Sequence, residues 1–408
     1  MSALKDYEPI VTKTVMDELK MLGEKLSGKV IQNINSTAVG GGVAEILNRM
    51  IPLIGELGVD ARWDVIKGGE DFFKVTKKFH NALHGAHVEM VPSDFEIFEE
   101  YTEMNIRQME LYGDVMFIHD PQPIGLVKKK KDRKAKWIWR CHIDFSAPDQ
   151  SVWPFLKQYV EKFDASVFSA PSFAQNLSIP QFLVAPSIDP LSDKNKELPK
   201  RVINKIMEKY AIPQDKPIIT QISRFDYLKD PFGVIEVFNQ VKKYIDCRLV
   251  IAGGGATDDP EGEAVLNEIR EKAGNDPDIH ILVLPPTSNI EINAIQRAST
   301  VILQKSLKEG FGLTVAEALW KAKPVVASAV GGIPLQITHK FSGLLSRTVE
   351  GTAYCIKQLL HSPDYAKTLG KNGKEHIRQN FLLTRHLRDY MLLFLSLDYP
   401  RDEDVIHI

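Results

Sequence analysis

Residues 300–330 read TVILQKSLKEGFGLTVAEALWKAKPVVASAV, an apolar strand, a glycine-bearing turn, a helix and a second apolar strand. The runs TVILQKS and PVVASAV are short and continuously apolar at their centres, the mark of strands buried on both faces of a parallel sheet. Between them the turn Gly310-Phe311-Gly312 opens a helix at Leu313 and Thr314. The N–H groups of that first turn, with the helix dipole behind them, form an anion site suited to a phosphate. Two carboxylates flank it: Glu309 stays on the loop, and Glu317 lies one turn above Leu313 and Thr314 on the same helix face. They can bracket a ligand, one beside its anion and one beside whatever hangs from it.

The same alternation extends in both directions. Upstream, KVIQNINS, VMFIHD, KWIWRCHID, ASVFSA and QFLVAPSID read as strands, and GVAEILNRMIPLIGELG as a helix after the first. The segment SIDPLSDKNKELP, residues 187–199, is rich in Pro, Ser, Asp and Lys and interrupts the pattern. It then restarts with PIITQISR, a helix from about Asp230, RLVIAGGG, a helix near 263, HILVLPP and a helix near 289. Alternation of this kind predicts βαβ units and parallel sheets. The expected fold is α/β, two doubly wound Rossmann-like domains of residues 1–187 and 188–382 facing across a cleft at the carboxyl ends of their strands.

Composition excludes several classes. The 408 residues exceed one average core, the apolar and charged fractions of 44% and 25% are ordinary for a globular protein, and the net charge of −2 makes no case for nucleic acid or a membrane surface. The basic run KKKKDRKAK, residues 128–136, reads as a solvated loop ahead of the strand KWIWRCHID. Three cysteines, Cys141, Cys247 and Cys355, show no metal spacing and fit a reducing cytoplasm. The start MSALKDYEPI has no signal-like apolar core, and no run of about 18 apolar residues occurs. The composition is compatible with a homodimer and does not decide the oligomeric state.

Chemistry-bearing residues gather where strands end. In SRFDYLKDP, residues 223–231, Arg224 and Lys229 follow the strand PIITQIS, and two cations there could neutralise a diphosphate, although such a pair also reads as surface solvation. In STAVGGGVAEIL, residues 36–47, Gly40, Gly41 and Gly42 lie between the first strand and its helix, where backbone amides could approach a sugar or phosphate. This is not the GxGxxG of a dinucleotide site, so the fingerprint a dehydrogenase requires does not appear. In WRCHIDFS, residues 139–146, Asp144 projects to the side of His142 and could bind acceptor hydroxyls, with Arg140 in support. FIHDPQP, residues 117–123, adds His119, Asp120 and Gln122 at another strand end. Together these suggest a pocket for something small and rich in hydroxyls.

The run EGFGLTVAEALWKAKPVVASAVGGIP resembles the retaining nucleotide-sugar glycosyltransferases of the glycogen synthase and sucrose-phosphate synthase kind, family 4 with the GT-B fold. The resemblance implies that Glu309 holds donor-sugar hydroxyls, Glu317 the nucleotide ribose, Arg224 and Lys229 the donor diphosphate, and His142 the sugar near its reacting carbon. Serine at 223 replaces that family's usual glycine. It further implies that the glycine loop with Gly41 and Gly42 closes over the sugar and that Gly253 and Gly254 lie beside the nucleotide. The amides of Gly312, Leu313 and Thr314 would face its phosphate. The apolar helix TRHLRDYMLLFLSL, residues 384–397, is expected to cross back so that 383–408 complete the N-terminal domain.

HDPQP, RCHID and EGFGLTVAEALWKAKPV are similar to the trehalose glycosyltransferring synthases and, beyond them, to retaining trehalose phosphorylases. The implied reaction is NDP-glucose plus glucose giving α,α-trehalose plus NDP, reversibly and with retention. The alternatives are a phosphorylase using phosphate and glucose 1-phosphate, another family 4 nucleotide-sugar transferase, or a non-catalytic sugar- or nucleotide-binding protein. The last would not need the charge-stabilising set. No metal ligands stand out, so magnesium is expected only as a counter-ion on the nucleotide.

Overall fold

A computed structural model describes residues 3–38, 41–132, 134–254, 260–397 and 405–407. The short apolar runs form two parallel sheets, each inside its own compact unit: Met1–Ser187 with Leu383–Ile408, and Ile188–Leu382. Among the described residues, no helix is long and apolar enough to cross a membrane.

The first sheet comprises β1 (Val30–Asn35), β2 (Asp60–Val65), β3 (Val115–His119), β4 (Lys136–Arg140), β5 (Ala165–Phe168), β6 (Gln181–Leu183) and β13 (Val405–His407), in the order β13-β6-β5-β4-β3-β1-β2. The second comprises β7 (Ile218–Ile222), β8 (Arg248–Gly254), β9 (Ile279–Leu284), β10 (Val301–Gln304), β11 (Val325–Ser328) and β12 (Leu344–Ser346), in the order β12-β11-β10-β7-β8-β9. In each sheet the direction of winding reverses partway, the arrangement in which strand carboxyl ends leave room for a ligand. The central strands β3, β7 and β10 are buried at every position, which is why their sequences are mostly apolar, with Thr220, Gln221, Gln304 and His119 the polar exceptions.

β2 is an edge strand, and its sequence DARWDV is only partly buried. Polar alternation at a sheet edge carries no apolar run, and this strand has no counterpart among the sequence expectations. The basic run also differs from a solvated loop. Ile124–Asp132 forms a 3-10 segment in which Lys128 Nζ lies 2.5 Å from Glu99 and 2.9 Å from Glu103, and Lys130 lies 2.8 Å from Asp164. Arg133 of that run lies outside the described residues.

The final long helix, Leu383–Ser396, packs within the first unit on the sheet face that carries Asn33, Phe117 and Arg140. Phe117 meets Tyr390 edge-on at 4.9 Å and Phe394 edge-on at 5.5 Å between ring centroids. Phe394 is fully buried. Replacing it with alanine is expected to cost about 3–5 kcal/mol through lost contacts and a residual cavity. Urea unfolding followed by tryptophan fluorescence measures this, and a loss below about 1 kcal/mol would show that the helix is not part of that core.

Candidate functional site

In the second unit β10, β7 and β8 are adjacent, so the loops at their carboxyl ends meet. Lys229 lies after β7 and Glu309 after β10, and Lys229 Nζ is 2.7 Å from Glu309 Oε2. Ser306 donates its hydroxyl to the same oxygen at 3.1 Å. Gln221, within β7, ties the two loops together: its amide nitrogen donates to the Lys229 carbonyl at 2.8 Å and its amide oxygen accepts Lys305 N–H at 2.8 Å. Lys305 pairs with Asp230, which adopts a left-handed conformation at φ 44° and caps helix Pro231–Lys242 by accepting Gly233 N–H at 3.0 Å. Aspartate is among the few non-glycine residues that tolerate this backbone.

Gly312, at φ 83°, precedes helix Leu313–Trp320 and supplies no side-chain cap. The amides of Leu313 and Thr314 thus head a helix beside the Lys229–Glu309 pair. Thr314 donates to Gln304 at 3.0 Å, and Gln304 donates to Ser306 at 3.0 Å, which binds the helix head to the carboxylate's own support. Gly332 N–H reaches the Glu309 carbonyl at 3.3 Å. Glu317 is buried on the helix, with Lys194 Nζ 3.7 Å from Oε1. Lys321 sits one turn on, donating to the Glu317 carbonyl and to Asn195 at 3.0 Å each. Burial pushes its ammonium down to about 7, against the pull of Glu317.

Arg224 takes no part in this cluster. Its side chain is 63% exposed and pairs with Asp226 at 3.2 Å. Gly253 lies so close to the neighbouring loop that a Cβ would fall 2.0 Å from the Ser223 carbonyl oxygen, and at Gly254 it would come 3.4 Å from that of Leu284. Gly255 is outside the described residues.

In the first unit β3 and β4 are neighbours, and their ends bring His119, Asp120, Arg140 and His142 together. Asp120, at φ 65°, accepts His142 N–H at 2.8 Å, while its carbonyl accepts Trp139 Nε1–H at 3.0 Å. His119 Nδ1 is 3.0 Å from His142 Nε2, and His119 Nε2 is 3.1 Å from Asn33 Oδ1. Asp120, Gln122 and His142 are partly exposed. The Gln122 amide oxygen is buried without a hydrogen-bond partner among the described residues. Arg140 is fully buried, donating to Ser169 at 3.1 Å and to the Val184 carbonyl at 2.8 Å, so it stands beneath the strand ends. Asp144 is buried and accepts both N–H and O–H of Ser146. Helix Gly41–Glu56 begins at Gly41 and Gly42 after β1, and Gly40 lies outside the described residues.

Sequence reading did not single out Asn33, Gln221, Lys305 or Ser306. Polar residues inside otherwise buried strands, as in VIQNIN and IITQI, are the local signal for two of them.

A family model described as the trehalose synthase N-terminal domain matches residues 33–175, and one described as glycosyl transferases group 1 matches residues 202–376. A trehalose synthase of Thermococcus litoralis is 44% identical over 399 residues, 96% of this chain and 97% of that one. The chain belongs to the trehalose synthase family. It is a glycosyltransferase of trehalose-related sugar transfer. A trehalose phosphorylase of Pleurotus pulmonarius is 28% identical over 84% of this chain and 54% of its own. A sucrose-phosphate synthase from Thermosynechococcus elongatus has the same fold, with TM-score 0.69, 16% identity and coverage of 91% of this chain and 99% of that one. The two parallel-sheet units are thus the α/β domains of the GT-B fold.

The histidines at and beneath the strand ends give the first unit a pH dependence. Burial, with Arg140 adding its positive charge, pushes His119 down to about 3 and holds His142 well below 6.5; burial, with Arg385 and then Arg140, does the same to His386. Burial moves Asp120 the other way, up to about 6, against the His142 N–H and Arg140. A histidine held neutral contributes stability that is complete above its unfolded value near 6.5 and is lost as pH falls towards the folded value. Asp120 opposes this between about 4 and 6, but three histidines outweigh one carboxyl. Thermal stability is therefore expected to fall as pH drops from 7 to 5. His386→Gln should flatten the slope by up to about 1.4 kcal/mol per pH unit, read by urea unfolding at several pH values; an unchanged slope would overturn the assignment.

Proposed function

We propose that the protein is a retaining glucosyltransferase that reversibly forms α,α-trehalose from NDP-glucose, with ADP or UDP as the nucleotide, and glucose, releasing NDP. The observation that carries this reading is the Lys229–Glu309 pair at the head of helix Leu313–Trp320. A cation and aligned amides suit a leaving group that departs as an anion, because they stabilise charge that grows as the glycosidic bond breaks. Glu309 then has one carboxylate oxygen held by Lys229 and Ser306 and the other available to sugar hydroxyls. Arg224, on a long exposed side chain, would join the diphosphate, and Glu317 the ribose. Gly253 and Gly254 would lie beside the nucleotide, and magnesium would arrive only as its counter-ion.

In the first unit His142 would touch the sugar, with Gly41 and Gly42 closing on it. Asp120, Gln122 and Asp144 would take acceptor hydroxyls over the buried support of Arg140. The acceptor hydroxyl attacks C1 on the face the phosphate leaves and passes its proton to that phosphate, so the α configuration is kept. Three buried, unpaired cysteines suit the reducing cytoplasm in which we place the reaction.

The similarity to a trehalose phosphorylase supports a second reading, because free phosphate would use the same anion site. Incubating the protein with trehalose and ADP or UDP, and separately with inorganic phosphate, and following products by NMR separates the two. Nucleotide-glucose of α configuration is the expected product; glucose 1-phosphate formed only with phosphate would replace this reading with the phosphorylase. Lys229→Ala is expected to lower turnover about a hundredfold or more, as loss of one charge-stabilising donor does. Near-normal turnover in that variant would remove Lys229 from the machinery.

A further inference from the structure

The histidines at the ends of β3 and β4 are linked to a third polar side chain, and donors and acceptors along the link give it a direction. Asn33 is buried in the middle of β1. Its amide nitrogen faces the Arg62 carbonyl at 3.3 Å, which can only accept, so its amide oxygen is the atom that faces His119 Nε2 at 3.1 Å. An amide oxygen has no hydrogen to give, so Nε2 carries the ring hydrogen of His119. A neutral imidazole has one N–H, which leaves His119 Nδ1 as a lone pair. At 3.0 Å from His142 Nε2 that lone pair accepts, and His142 Nε2 therefore carries the hydrogen of its own ring. His142 Nδ1, at the far side of a partly exposed ring, is left bare.

We propose that Asn33 and His119 are positioning residues that hold His142 with Nδ1 unprotonated, so that His142 accepts a hydrogen bond from a ligand hydroxyl and does not donate one. Only the identity of that hydroxyl, a sugar's, rests on the glucosyltransferase reading; the direction of the link does not.

The surroundings keep both rings neutral. Arg140 from β4 and His386 from the final helix bear on His142 together with His119, and Asp120 is engaged with the His142 main chain. A further positive charge among these groups is disfavoured, in keeping with the depressed values of both rings. Asn33 is the fitting end for such a link. A carboxylate there would accept the same hydrogen but would favour protonation of His119, whereas an amide accepts without adding charge. The consequence is selectivity: a bare ring nitrogen binds a hydroxyl and repels a carbonyl or ether oxygen at the same place.

Nitrogen-15 NMR of the histidine-labelled, ligand-free protein at pH 7 reads the tautomers directly, with resonances assigned by their loss in His119→Gln and His142→Gln. Protonated Nε2 and bare Nδ1 on both rings is the expected pattern. A hydrogen on His142 Nδ1, as the reversed tautomer or as imidazolium, would overturn the proposal. Two variants add a kinetic readout. Asn33→Asp keeps the acceptor and should raise the titration of the histidine pair by a pH unit or more, shifting the acid limb of kcat/KM upward. Asn33→Leu removes the acceptor and should let the link reverse, with kcat falling at least tenfold; a wild-type tautomer pattern and pH profile in both variants would also overturn it. Failure of trehalose turnover would leave the NMR result standing, so the two readings fail separately.

Discussion

Lys229 and Glu309 are 80 residues apart in sequence and 2.7 Å apart in space because β7 and β10 are paired neighbours in a parallel sheet. That pairing is the constraint on which the second unit's chemistry depends. Parallel strands bring all their carboxyl ends to one side, so residues that follow consecutive strands in space meet there whatever their order in the chain. The order β11-β10-β7-β8 accordingly collects Lys229, Ser306, Glu309, the head of helix Leu313–Trp320 and the close-packed turn at Gly253.

The pair itself is poorly suited to stabilising the fold. Both side chains are largely buried, 16% and 10% exposed, and the cost of taking two charges out of water offsets much of their attraction. Removing one partner is another matter, since an uncompensated buried charge costs about 3–5 kcal/mol. The surrounding hydrogen bonds answer that hazard. Ser306 shares the Glu309 oxygen, Gln221 holds the Lys229 main chain, and Thr314 and Gln304 brace Ser306. A charge pair so thoroughly supported is one whose geometry matters more than its contribution to stability.

The α/β class and the two parallel sheets were legible because β3, β7, β10 and their neighbours are buried on both faces and so appear as short, predominantly apolar runs. β2 was not, because an edge strand half open to water has no such run, and β12 and β13 are three residues each. The residues nearest the chemistry divide in the same way. Lys229, Glu309 and His142 stand on loops immediately after readable strands, where a polar residue is conspicuous. Asn33, Gln221 and Ser306 act through partners on other strands, and which partner each one meets is set by strand order and register, which are non-local. Lys128 and Lys130 show the converse: four basic residues in a row look solvated until helix Pro92–Gln108 brings Glu99 and Glu103 beside Lys128, and Asp164 meets Lys130.

The first unit solves a harder problem than the second, because its polar groups lie under the strand ends as well as upon them. Arg140, His119 and His386 share a space walled by Phe117, Tyr390 and Phe394, where an unsatisfied polar atom or a second charge is costly. Arg140 cannot shed its charge, and it spends its Nη2 on Ser169 and a β6-side carbonyl at Val184. The histidines then remain neutral around it, and neutrality is what allows each to donate from one nitrogen and accept at the other. A row of neutral imidazoles ending on an amide passes a fixed orientation outward from the core to His142 without carrying charge to it. The buried arginine and the partly exposed histidine are thus one arrangement: the permanent charge below keeps the ring above uncharged, and an uncharged ring can meet an uncharged sugar with a lone pair.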